Sequence, residues 1–238
     1  GKGGAESVSD PYRSAYRNFK PAKKGDLQDG GAVLKTYCDS STTLVCGASP
    51  KVVSETIKKH GKSFEVGELV MQGGFAGKTV VPDEFQLDKF KDMTTCTSFN
   101  FGTNPKNMQA VLDHEQIGRV SLVSKNVCHR VEYGEELHNS FSSAIKSTVG
   151  ELELYRVLED YRTTHPEPKK MHDALMVMSL LQPEVLRSKE VNMVSEGKEW
   201  GASLPALKKN GKPEKTNTFI SVGYDSSIWT SFFNGTKN

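Results

Sequence analysis

Between residues 32 and 133 the chain sets short apolar bursts around two segments whose helical ends are written into the sequence. Those two helices leave room only for short elements on either side. In "SPKVVSETIKKHG", Ser49 is placed to cap, Pro50 to open the first turn, and Lys58, Lys59 and His60 to complement the negative end before Gly61 stops it. In "NPKNMQAVLDHEQIG", Asn104 caps, Pro105 opens, Met108, Val111 and Leu112 share a face, and Gly118 ends the segment. The runs 32–38, 42–47, 64–71, 78–81 and 94–101 are predicted as strands, and 119–133 as one or two more.

From Glu135 onward the texture changes. Leu137, Phe141, Ile145, Leu152 and Tyr155 recur at helical spacing as far as about Tyr161, with Gly150 a point of weakness, until Pro166 and Pro168 break the run. "KKMHDALMVMSLLQ" predicts a further helix and "PEVLRSKEV" a short one. A lysine-rich loop (198–215) precedes "TFISVGY" and "SSIWTSFF", read as a closing C-terminal hairpin turning at Asp225. Strands and helices do not alternate as βαβ units, so the expected class is α+β: short strands in the N-terminal half, a helix-rich segment at about 135–190, and the hairpin. The expected organisation is an N-terminal arm (1–30) and one α+β domain (31–238), with a sub-boundary near 134.

The arm contains the most pointed pattern. Ser9 or Asp10 can cap and Pro11 can open a short helix in which Tyr12, Tyr16 and Phe19 fall on one side. Arg13, Arg17 and Lys20 form an adjacent cationic stripe that Lys23 and Lys24 extend, and residues 11–25 contain no acidic group. A helix of about ten residues is marginal alone, so this one needs a surface: its own core, a neighbouring subunit, an anionic membrane or RNA. The first residues, "GKGGAES", form a loose myristoylation pattern with Ala5 where Ser or Thr is preferred.

Charge gives no global pull toward polyanions, because 31 basic residues meet 29 acidic ones for a net +2. The four cysteines, Cys38, Cys46, Cys96 and Cys128, form no C-x-x-C pair and are read as reduced thiols in an intracellular setting. No apolar run reaches the about 20 residues of a membrane span, so the chain is expected in the cytoplasm, at most peripheral to a membrane.

Chemical motifs are sparse. "MQGGFAGKTVV" nearly spells a P-loop, but Gln72 stands where glycine belongs, and Thr79, Val80, Val81 and Pro82 follow where a helix should begin. Cys96, Cys128, His129, His138, His165 and His172 show no metal-ligand spacing, and no cofactor is expected. Met171, Met176, Met178 and Met193 read as core filler. Glu132, Glu135, Glu136 and His138 are groups able to move protons, but a solvated helix face is the default explanation for them. The leading expectation is a non-enzymatic, self-associating assembly protein of coat, matrix or nucleoprotein type, whose arm engages membrane, RNA or a neighbouring subunit. The alternative is a small intracellular enzyme with a site built from dispersed residues such as His114, Glu115, His129 and Glu132.

Overall fold

The computed structural model describes residues 28–144, 148–207 and 216–234, and the aromatic and basic arm residues 12–24 lie outside them. The chain divides into two compact units. The larger comprises residues 28–131 and 171–226, the smaller 132–170 and 227 onward.

The larger unit is built on a five-stranded sheet ordered β1 (Thr43–Cys46), β2 (Val66–Gln72), β4 (Ile117–Val123), β10 (Thr218–Tyr224), β7 (Leu186–Glu190). The first four strands run parallel, and only β7 is antiparallel to its neighbour. The expected mixture of helix and strand stands. The reading that helices do not link parallel strands is corrected, because β1 leads through α2 (Lys51–His60) into β2. A second sheet, β3 (Thr95–Thr97), β9 (Glu199–Ser203) and β8 (Asn192–Glu196), is antiparallel.

Period-two alternation explains which face is buried. Leu69 and Met71, Val120 and Leu122, and Ile220 and Val222 join one core with Val53, Met108 and Val111 from the helices. Phe101 and Trp200 are fully buried in that core, edge to face at 5.4 Å. On the opposite face of the same strands the polar Glu68, Arg119 and Ser121 bond one another: Arg119 Nε lies 3.2 Å from Glu68, and the Ser121 hydroxyl donates to Glu68.

Both punctuated helices form, with adjustments. α2 begins at Lys51 with Pro50 as N-cap and no side-chain cap from Ser49, and it ends at Gly61. The helix Pro105–Leu112 (α4) is capped by Asn104 as expected but stops at Asp113, and Gly118 lies inside β4. Several strand expectations are corrected. "AVLKTYC" lies in a helix, α1 (Gly30–Tyr37), because Asp29 caps it by accepting from the amide of Ala32 and α1 packs along α2. "KTVV" is a turn, its Val80 and Val81 amides both donating to the Gly77 carbonyl. "TTCTSFNF" is strand only to Thr97 and then turns into α3 (Phe99–Gly102). After β4, Ser124 caps α5 (Lys125–Cys128) instead of continuing a strand. "PEVLRSKEV" keeps one 3₁₀ turn before becoming β7.

In the smaller unit, α6 (Glu135–Ala144) and α7 (Val149–Thr164) follow the expected helical spacing. α7 opens with a capping box between Thr148 and Glu151. Glu132–Tyr133 (β5) and Lys169–Lys170 (β6) pair antiparallel. The last element, α9 (Ser226–Asn234), is a helix and not the second arm of a hairpin, since Trp229 and Phe233, four apart, are both buried.

Candidate active site

In open sheets with parallel strands, binding crevices form outside the carboxyl ends of the strands. Here those ends are Gly47 after β1, Gln72–Gly74 at β2, Ser124 after β4 and Asp225 after β10. They are tied together by specific bonds. The Gly73 amide donates to the Val123 carbonyl, and the Lys125 amide to the Gly74 carbonyl. Ser124 gives Ser221 two bonds, its amide donating to Ser221 Oγ at 2.9 Å and its hydroxyl to the Ser221 carbonyl at 2.7 Å.

Polar side chains converge on this edge. The Asn100 amide nitrogen, on α3, donates to the carbonyl and to Oε1 of Gln72, each at 2.9 Å, and to the Gly47 carbonyl at 3.4 Å. Asn100 thereby fixes Gln72 and spends its donors within the protein, leaving Oδ1 as an acceptor. Gln72 Nε2 lies 3.7 Å from the Cys128 sulfur. The glycines 73 and 74 let the strand end pass against the buried Phe101 ring: a Cβ on Gly73 would sit 2.5 Å from it.

The helix α8 (His172–Leu181) brings a carboxylate to the same edge. Asp173 is exposed, and its Oδ1 is so close to Gly47 that a Cβ there would lie 3.5 Å away. Burial pushes the Cys128 thiol up to about 12, with the Asp173 charge adding to the rise. Burial likewise raises the Cys46 thiol, and Asp173 contributes there too. Neither sulfur is therefore a thiolate at neutral pH, which argues against cysteine nucleophilic chemistry. What the edge offers is an exposed carboxylate, two side-chain amides and an imidazole, His172, whose ring lies 5.4 Å from that of His129. Among the described residues no group of three or more His, Cys, Asp or Glu is placed to hold a metal ion.

A separate cavity of about 250 Å³ lies over the polar face of the sheet, bordered by Glu68, Arg119 and Ser121. Its charges already neutralise each other, so the chemistry is assigned to the strand ends.

The residues expected from the sequence are not gathered there as a set. His114 is bonded to the Phe64 carbonyl and Glu115 is paired with Lys62, both before the start of β4 and so away from its carboxyl end. His129 is the one that comes near, its ring beside that of His172 while its Nδ1 accepts from Lys89, and Glu132 pairs with Lys170 across β5 and β6 in the smaller unit. His138 is buried in that unit, donating to Glu159 at 2.8 Å and accepting from the Tyr133 hydroxyl at 2.9 Å. Sequence reasoning missed Gln72, Asn100 and Asp173. Gln72 was in view only as the wrong letter of a P-loop. The usable signal was a polar residue closing an apolar strand just before two glycines.

No protein-family model and no curated protein matches the chain. Solved structures do. A plant nucleoside hydrolase superposes over 98% of this chain and 76% of its own length, with TM-score 0.66 and 11% identity. A purine-preferring ribonucleoside hydrolase from Gardnerella vaginalis gives 0.62 and 15% over 91% of this chain and 68% of its own. An inosine–uridine preferring nucleoside hydrolase from Bacillus anthracis gives 0.60 and 12% over 88% of this chain and 65% of its own. The fold is thus one used by nucleoside hydrolases, and this chain spans about two thirds to three quarters of their length. That finding overturns the expectation of a structural protein of coat, matrix or nucleoprotein type. Among the described residues no helix is long and apolar enough to cross a membrane.

Proposed function

We propose that the chain hydrolyses the N-glycosidic bond of ribonucleosides at the carboxyl edge of its parallel sheet. The observation that carries this reading is the placement of Asp173, a carboxylate beside Gly47 at the edge where Asn100 and Gln72 converge, on a fold shared with nucleoside hydrolases.

In this reading Asp173 accepts a proton from water as the water oxygen bonds to C1′ of the ribose. The C1′–N bond breaks, its electron pair goes to the nucleobase nitrogen, and the departing base takes a proton from water. Positive charge builds on the sugar in such a displacement, so a carboxylate beside it stabilises the transition state. Asn100 Oδ1 accepts from a ribose hydroxyl and Gln72 Nε2 donates to one, holding the sugar in register. The thiols Cys46 and Cys128 stay protonated and support the floor of the site. The unbridged cysteines suit a reducing, intracellular setting.

Incubating the chain with inosine, guanosine or uridine and assaying reducing sugar tests this. Free ribose is the expected product. Asp173→Asn lowers the rate by about 10²–10⁴-fold, with the fold kept by circular dichroism. Absence of ribose release from every nucleoside would reject the reading.

A further inference from the structure

We propose that the open cavity between α3 and the β8–β9 turn binds a phosphate monoester, the 5′-phosphate of a ribose whose ring lies at the Asn100 edge. The inference rests on the proposed hydrolysis for the sugar and on the cavity's own residues for the phosphate.

The cavity measures about 380 Å³ and is bordered by Thr97, Ser98, Phe99, Thr103, Lys125 and Lys198. Two ammonium groups border it and no carboxylate does. Among the described residues neither lysine is ion-paired to an acid. Two unneutralised cations beside a concavity favour an anion with several acceptor oxygens. Lys125 Nζ donates to the Thr97 carbonyl at 2.9 Å and lies 3.3 Å from the Cys96 sulfur, which fixes its position. Ser98 Oγ accepts from the Gly74 amide, so its hydroxyl hydrogen is left to donate.

Lys198 is placed by a close backbone approach. It follows Gly197, in the turn between β8 and β9, and its carbonyl would lie 3.0 Å from a Cβ on Gly102 at the end of α3. The neighbouring Glu199 carboxylate does not compete for the cavity, because it accepts from Thr95 Oγ1 at 2.7 Å.

The link to the crevice is covalent. Ser98 borders the cavity and Asn100, two residues on, reaches the Gln72 edge, while the 68% exposed Phe99 stands between them as an apolar wall. A ligand with a neutral, hydroxyl-rich ring and an anionic end matches that order of groups, and a sugar phosphate is the smallest such molecule.

Titration calorimetry on the full chain with ribose 5-phosphate, ribose and inorganic phosphate tests the inference. Ribose 5-phosphate binds about tenfold or more tighter than ribose, weakens with salt, and loses that advantage in Lys198→Glu and in Lys125→Met. Lys62→Glu, which alters a cation paired with Glu115, leaves it intact. Equal binding of ribose and ribose 5-phosphate, or indifference to both cavity lysines, overturns the proposal. Inorganic phosphate binding as tightly as ribose 5-phosphate also overturns it, by removing the sugar. A chain that frees ribose from nucleosides but shows no phosphate preference sinks this inference alone. One that binds ribose 5-phosphate through Lys198 but cleaves no nucleoside or nucleotide sinks the hydrolysis alone.

Discussion

Cys128 shows how far one side chain's chemistry is set by its surroundings. Its thiol ionises near 9 when exposed and is pushed to about 12 in the fold, chiefly by burial. The folded chain therefore holds a proton that the unfolded chain releases above pH 9. Stability from this group is complete below pH 9 and is lost as pH rises toward 12, at no more than about 1.4 kcal/mol per pH unit. Urea unfolding at pH 8 and pH 10.5 checks it: the native chain loses stability across that interval, and Cys128→Ala loses less. The same burial keeps Cys128 unreactive to iodoacetamide at pH 8 while the chain is folded. Residue identity alone did not disclose this, because a cysteine before a histidine in sequence reads equally as ligand, nucleophile or filler. The site's amides were harder still to see: Asn100 acts by holding Gln72, a residue 28 positions away.

Elements were legible where their ends carry chemistry and illegible where packing decides. The Asn104–Pro105 start and the Gly61 stop need only local groups, and both hold. "AVLKTYC" has strand-forming letters, yet docking on α2 makes it helical, and tertiary contact routinely outweighs so weak a propensity. "SSIWTSFF" is ambiguous by alternation, and only the burial of Trp229 and Phe233 on one side decides it. Two predictions belong at this scale. Gly73→Ala forces a Cβ into the fully buried Phe101 ring and lowers stability by about 1–3 kcal/mol, measurable by chemical denaturation. In the smaller unit, burial first and then the Arg162 charge lower the His138 pKa, opposed by Glu159. Neutral imidazole is thus favoured in the fold. Its contribution is full above the unfolded value near 6.5 and is lost as pH falls below it. Amide exchange in α6 and α7 should quicken between pH 6.5 and 5 beyond its intrinsic pH trend, and His138→Gln should remove that excess.

At the scale of the whole chain, the sequence conveyed the mixture of helix and strand but not its connectivity. Parallel strands need crossovers, and here the interval from β2 to β4 holds loops, short helices and β3, while that from β4 to β10 holds α5, the smaller unit, α8 and three further strands, so no regular alternation shows along the sequence. The candidate site was hidden for the same reason: Gly47, Gln72, Asn100 and Asp173 meet only once the strands have found their order. The ladder between β4 and β10 pairs Thr218–Ile220 with Val120–Leu122. Beyond it, two serine side chains take over from the main chain. Because both serines are buried, losing the Ser221 hydroxyl would strand the Ser124 amide without an acceptor, so the rim of the crevice is tied by a side chain that water cannot replace.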